Sequence, residues 1–383
     1  MPLTSAREQI GIGRQSAIGS AVALNALHTV VADAGSFTAS ENYEQILDTG
    51  RRGSETMDFN SHQGVGFTEI SFDFPLMYGS GTAAADNAGS IVGILLRNLL
   101  GTGASGSGAT DALRQTRIAS TSNWKNQFRL GSSKEYLTVA RKILAQNSEA
   151  TDVEYIGCRV NELTISANSG EGFVTCSTSL TGRTSTTIDM QNQADFLLST
   201  TSEDLQRGWE NISVSTWPNK IVGTTVTNII SWDVTFSREA TPIFSAGNSQ
   251  DYSDLYLGPL EVTFSVVCDI EDATQLSAFR ANTKGNTQLA LSMGAASVTA
   301  ATNRAFVIGM ANSTIMEDAL EIDTSGSYAT VALSGRGLAN GVGVAVIPSG
   351  DTFTTSTNLS GVTPVEVLIH EMGVDGTTGP DYS

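Results

Sequence analysis

The side chains most able to do chemistry are few and scattered in this 383-residue chain. His28, His62 and His370 lie in different parts of the sequence. His370-Glu371 is followed by Met372, Gly373 and Val374, not by the second histidine that a zinc-binding HExxH helix needs. Cys158, Cys176 and Cys268 are far apart, with no pair spaced for a metal knuckle or a CxxC motif, and read as small core residues. Gly101-Thr-Gly103-Ala-Ser-Gly106 has the letters of a dinucleotide fingerprint. It follows a segment of helical spacing, however, and cradling a phosphate needs a strand before the glycines and a helix after them, so the stretch reads as a loop. There is no GxxxxGK[ST] loop and no GxSxG elbow. Glu317 with Asp318, and Asp251 with Asp254, are carboxylate pairs that could hold calcium or serve a hydrolase on a β scaffold. They lack the ligand series of an EF-hand, and solvated surface is the simpler reading. The expectation is a protein with no catalytic centre, no cofactor and no metal.

The remaining candidates are acidic residues set into a periodic pattern. Alternation of apolar and polar residues marks a strand with one face on a core. In Glu69 to Phe74, Ile70, Phe72 and Phe74 oppose Glu69, Ser71 and Asp73. Ile230, Trp232, Val234 and Phe236 oppose Ser231, Asp233, Thr235 and Ser237, and Leu260 to Asp269 repeats the scheme with Val267 as its one exception. One-sided burial is the mark of antiparallel sheets. Glu69, Asp73, Asp233, Glu261 and Glu162 are then expected on the wetted face. On a lone domain that face meets bulk solvent; in a closed ring it would line a pore.

Composition agrees with a β-rich surface of low charge density. Acidic residues outnumber basic ones 39 to 21, net charge is −18, and only 16% of residues are charged, while Ser and Thr fill 87 positions. The acid excess argues against gripping nucleic acid, which takes a surplus of Lys and Arg. The apolar stretch Ala17 to Leu27 is mostly small residues and reads as mature protein, not as a signal. The longest apolar run, Ile91 to Leu100, is broken by Arg97 and Asn98 and is too short for the roughly 20 residues of a membrane span.

Helices are few. Ile91, Ile94, Leu95 and Leu99 have helical spacing after Asp86, a possible cap, and Asp272 to Lys284 forms a second segment with Gly285 at its end. Glu135 to Leu144 fits either period and is read as strand. The segments recur in order. Gly66 to Phe72 aligns with Gly258 to Phe264, each leads to a helix, and the stretches Ile156 to Arg183 and Ile308 to Arg336 both end in Leu-x-Gly-Arg. Strand, helix, strand pair and Gly-Arg, twice in the same order, indicate a duplicated unit. The division is 1–200, with a Gly/Ser-rich insertion near 101–134, and 201–383, with a loop insertion near 337–360.

Gly11-Ile-Gly13-Arg14-Gln15-Ser16-Ala17-Ile18-Gly19, the segment Tyr155 to Ser166 and the unit Gly258 to Lys284 resemble the major tail tube proteins of long-tailed bacteriophages and related archaeal viruses. The resemblance implies a mainly β fold of two tandem β-sandwich units, each flanked by an α-helix, whose hairpins join an inner β-barrel in a ring. It implies stacked rings that conduct genomic DNA without binding it specifically. It also implies other tail proteins as partners, namely the tape measure, the tail terminator and the distal tail protein. The strands Glu69 to Phe74, Val160 to Ser166, Val174 to Thr181, Ile229 to Ser237 and Glu261 to Asp269 become barrel candidates, with Glu69, Asp73, Glu162, Asp233 and Glu261 facing the lumen. Length and duplication fit trimeric rings imitating sixfold symmetry, with a hexamer as the alternative. A surface-exposed β-sandwich adhesin or receptor-binding tail component is the competing reading.

Overall fold

A computed structural model describes residues 8–15, 17–22, 24, 29–30, 32–48, 60–78, 90–101, 105–106, 113–117, 123–131, 133–143, 152–170, 172–187, 204–205, 219–247, 250–269, 273–281, 284–293, 304–324, 329–339 and 363–372. Leaving aside two-residue strands, the elements are β1 (Glu8–Gln15), β2 (Thr38–Asp48), β3 (Asn60–Pro75), α1 (Ile91–Leu100), β4 (Leu113–Arg117), β5 (Asn123–Phe128), β6 (Tyr136–Ile143), β7 (Val153–Asn168), β8 (Thr175–Gly182), β9 (Ile229–Ser237), β10 (Ala240–Ile243), β11 (Asp254–Leu257), β12 (Glu261–Asp269), α2 (Ala273–Arg280), β13 (Gly285–Met293), β14 (Arg304–Asp323), β15 (Thr330–Gly337) and β16 (Glu366–Met372). The fold is mainly β, as the alternation implied.

The principal sheet runs β2-β3-β8-β7-β9-β12-β15-β14, with every neighbouring pair antiparallel. The five barrel-candidate strands are consecutive in it. A second ladder, β13-β14-β16-β5-β4, shares the first half of β14, and β7 is shared in the same way with the ladder β7-β6-β1. Followed from strand to strand among the described residues, the ladders branch but do not return on themselves, so the chain does not close a barrel alone. β10 and β11 form a separate small hairpin.

Alternation decides which side is buried. Ile70, Phe72, Phe74, Leu163, Ile165, Trp232, Val234, Phe236, Val262, Phe264, Val266 and Leu333 all point into one continuous core. α1 packs against β7 and β5 inside that core, and α2 packs against β14. Ser90 is the N-cap residue of α1, while the suggested cap Asp86 lies outside the described residues. At the other end Gly101 takes φ 92°, and a Cβ there would stand 2.9 Å from the Ser133 carbonyl and 3.0 Å from that of Gly131. The glycine at 101 is required by the helix end and by close backbone approach; of the rest of the stretch, Ser105–Gly106 is a two-residue strand beside β4 and not loop, and 102–104 lie outside the described residues. β7 passes between its two ladders at Gly157 (φ 67°), where the β6 register shifts between Tyr155 and Cys158. Glu135 to Leu144 is strand, within Tyr136–Ile143. The 101–134 stretch holds β4 and β5 as well as loop. Of the loop insertion expected near 337–360, residues 340–360 lie outside the described residues.

Candidate functional site: the wetted face of the principal sheet

Opposite the core, register lines up hydroxyls and carboxylates in rows. One row reads Ser71, Ser179, Glu162, Ser237, Glu261; the next Asp73, Ser177, Thr164, Thr235, Thr263, Arg336; the third Thr175, Ser166, Asp233, Ser265, Ser334. Glu69 stands beyond the first row, between Ser40 on β2 and Thr181 on β8. Glu69, Asp73, Glu162, Asp233 and Glu261 are all exposed. None of the five has another of them directly across the ladder, where like charges would repel most. Glu162 and Glu261 share a row two strand spacings apart, about 10 Å, roughly a Debye length at physiological salt. Their mutual repulsion is mild, and the face carries a sustained negative field. Arg336 is the one cation on these rows among the described residues. It pairs with Glu261 at 2.7 Å, both side chains about half exposed, so the pair contributes little stability.

The face is kept in shape by ties that the alternation pattern did not reveal. β7 is bulged between Val160 and Glu162, and the residue between them, Asn161, ties three strands together. Its side-chain NH2 donates to Thr181 Oγ1 at 2.7 Å, its Oδ1 accepts from the Ala240 amide at 3.2 Å, and its carbonyl accepts from the Arg238 amide at 2.7 Å. The Arg238 guanidinium donates to the carbonyls of Leu99 and Leu100, at 3.2 and 2.9 Å, and so caps the C-terminal end of α1. Thr164 and Thr235 share a hydrogen bond of 2.9 Å across β7 and β9, and Thr38 and Ser71 one of 2.7 Å across β2 and β3.

Beneath the face a buried polar network anchors the sheet. Asn98 of α1 accepts from the Val160 amide at 2.8 Å and donates to the Glu135 carbonyl at 2.9 Å. The Glu135 carboxylate meets Arg14 at 2.9 Å and Arg97 at 3.0 Å. Arg159 donates to the Glu135 carbonyl at 2.6 Å, and burial together with the charge of Arg238 pushes its pKa down to about 10. Gln15, in the glycine-rich opening segment, accepts from the Gly157 amide at 2.7 Å. Two segments that carry the resemblance therefore touch.

The carboxylates set aside in the sequence have structural work. Asp251 accepts from Thr184 Oγ1 at 2.6 Å, and Asp254 accepts from the Tyr136 hydroxyl at 2.5 Å and from Lys134 at 2.9 Å. These bonds hold the Asp254 carboxyl below its usual range against the opposing effect of burial. The side chains of Glu317 and Asp318 lie outside the described residues. Cys158, Cys176 and Cys268 are buried, unbridged thiols. No helix among the described residues is long and apolar enough to cross a membrane.

What the structure presents opposite its core is an extended sheet surface of hydroxyls and spaced carboxylates, shaped by backbone ties beneath it. The particular family is defined by sequence: residues 5–337 match the phage tail tube protein family, and the chain belongs to it. It is a structural component of the virion tail, assembled in the host cell. No curated protein matches the chain significantly.

Proposed function

We propose that the chain is the ring-forming subunit of the tail tube and that the wetted face of the principal sheet lines the bore through which the genome leaves. The observation that carries this reading is the row pattern itself: five exposed carboxylates and one arginine, spaced by Ser and Thr. DNA carries one negative charge per roughly 1.7 Å of axis, so a wall rich in Lys and Arg would hold it by counterion release. A wall of hydroxyls and carboxylates offers no such grip, and the duplex stays mobile.

The chain then divides into two tandem units, near 1–200 and 201–383, each supplying four strands. Strands pack about 4.8 Å apart, so three copies of the eight-stranded sheet give a barrel about 37 Å across before tilt widens it. Two copies would give about 24 Å, which inward side chains narrow below a duplex. The reading is of a trimer with pseudo-sixfold symmetry, with the hexamer as its alternative, stacking on further rings and meeting the tape measure, terminator and distal tail proteins at the ends. The adhesin reading gains nothing from the family match.

Electron microscopy of the purified protein tests the assembly: rings or tubes with threefold averages are expected, and a strict monomer at high concentration, with or without other tail proteins, refutes it. Changing Glu69, Asp73, Asp233 and Glu261 to Lys together should leave assembly intact and slow DNA release from particles. Unchanged release would remove the electrostatic part.

A further inference from the structure

The principal sheet is one four-strand series met twice, β2-β3-β8-β7 and then β9-β12-β15-β14. β16 belongs to neither series and lies beyond residues 5–337, the part of the chain that matches the family. Both of its edges are paired. From Glu366 to His370 it lies against Gly309 to Ala305 of β14, and from Val367 to Met372 against Phe128 to Asn123 of β5. Among the described residues the pair β4-β5 joins the other ladders through β16 alone. Every residue from Glu366 to Glu371 is buried, two carboxylates included, and a buried charge needs partners. Glu366 accepts from Arg129 Nε at 2.6 Å, one residue past the end of β5. Glu371 accepts from the Ser90 amide at 3.2 Å and, more weakly, from Asn126 Nδ2 of β5 at 3.5 Å. The Ser90 amide is at the N-terminus of α1. Ser90 makes no side-chain cap bond there and the first turn holds no acidic residue, so Glu371 supplies, from 281 positions away, the anion that this end of a helix favours. At the other end Arg238 caps the Leu99 and Leu100 carbonyls. Both ends of α1 are thus held by complementary charges from distant parts of the chain.

We infer that β16 is a keystone strand: the slot between β14 and β5 is a binding site for this one extended segment, and the subunit becomes competent to assemble only once the slot is filled. Chain order fits, because β16 follows every other described strand, so both walls of the slot are made before the segment that enters it. Recognition is by side chain as well as by ladder. Val367 and Ile369 enter the common core. Glu366 and Glu371 are five residues apart and therefore on opposite faces of the strand, one meeting Arg129 and the other the end of α1. A slip of one residue turns both carboxylates to the wrong face, and a slip of two parts each from its partner by about 7 Å. The consequence reaches the wetted face. α1 holds β7 through Asn98, which accepts from the Val160 amide beside the bulge at Asn161. Filling the slot fixes the helix, and the helix fixes the strand that carries Glu162 and Thr164. An unfilled slot also leaves two strand edges open to indiscriminate pairing. The assembly half of this inference rests on the ring reading, and the slot half does not.

Glu366→Gln and Glu371→Gln, each in the full chain, test both halves. Hydrogen exchange at the amides of 93–96, 123–128 and 367–371 should run at least tenfold faster in either variant than in the unmodified protein, and tube growth followed by light scattering should be at least tenfold slower. Exchange in 93–96 and 123–128 at the unmodified rate in both variants overturns the slot. Faster exchange there with tube growth unchanged overturns the assembly half and leaves the slot standing. Absence of tubes from the unmodified protein overturns the ring reading and the assembly half together, while the exchange result still decides the slot. A second arm needs no substitution and so survives a variant that does not fold. In the unmodified protein under rising denaturant, the same three segments should exchange through one shared opening. Exchange of 367–371 at least tenfold faster than both of the others means that β16 leaves without releasing them, and overturns the keystone.

Discussion

The two helices occupy corresponding places in the chain and are bound very differently. In α1 every residue except Arg97 is buried, and Asn98, Arg97 and the incoming Arg238 fasten it to β7, to the start of β6 and to the segment after β9. In α2 Phe279 is buried and Leu276 half-buried, while Ser277 and Arg280 are exposed. The cause is in the residues: IVGILLRNLL is apolar nearly all round and has to be enclosed, whereas ATQLSAFR has one apolar stripe and suits a surface. A recurring strand order thus does not bring recurring energetics. The first series contains the anchor of the fold, and the second is held chiefly by its sheet.

Unequal substitutions in the two helices would break or sharpen that contrast. Leu95→Ala in α1 should cost about 2–5 kcal/mol, because the enclosed site cannot collapse around the void; denaturant midpoints would show it. Asn98→Ala should cost about 2 kcal/mol by leaving the buried Val160 amide without its side-chain acceptor, while the Glu135 carbonyl keeps Arg159, seen as a lowered Tm. Leu276→Ala in α2 should cost about 1 kcal/mol, since only part of its side chain leaves water. If it matched Leu95→Ala, the distinction between anchor and surface helix would fail. Smallest of all, Arg336→Ala on the wetted face should change stability by less than about 0.5 kcal/mol, as exposed ion pairs do, in the same unfolding assay.

Sequence pattern revealed most of the principal sheet, because a strand with one wetted face writes its orientation into every second residue. Ile70, Phe72 and Phe74 are buried and Glu69 and Asp73 exposed, as that alternation demands. Val267 broke the pattern and stands on the wetted side, beside Ala332, where a patch of small or apolar surface is tolerated. β4 and β5 were not legible. LRQTR and NWKNQF carry polar side chains on both faces, and the strand state is imposed by partners distant in sequence, with Asn126 opposite Ile369 of β16. Asn161 and Arg238 were equally hidden, since a bulge and a helix cap are joined only once β7, β9 and α1 come together. The acidic residues could be assigned to a face from sequence; their separation by Ser and Thr across the rows required the register.

Buried sulfur has a consequence for where such a particle can operate. Cys158, Cys176 and Cys268 sit on β7, β8 and β12, and across the ladders Cys176 faces Ile165 while Cys268 faces Val331. Burial raises the Cys158 and Cys176 thiols well above their ordinary range and pushes Cys268 up to about 11. Thiolate is the form that oxidises and exchanges, and these sites withhold it. Cohesion of the subunit is therefore indifferent to redox poise. A tail component assembled in the host cell thus carries in this subunit no disulfide whose making or breaking its fold depends on.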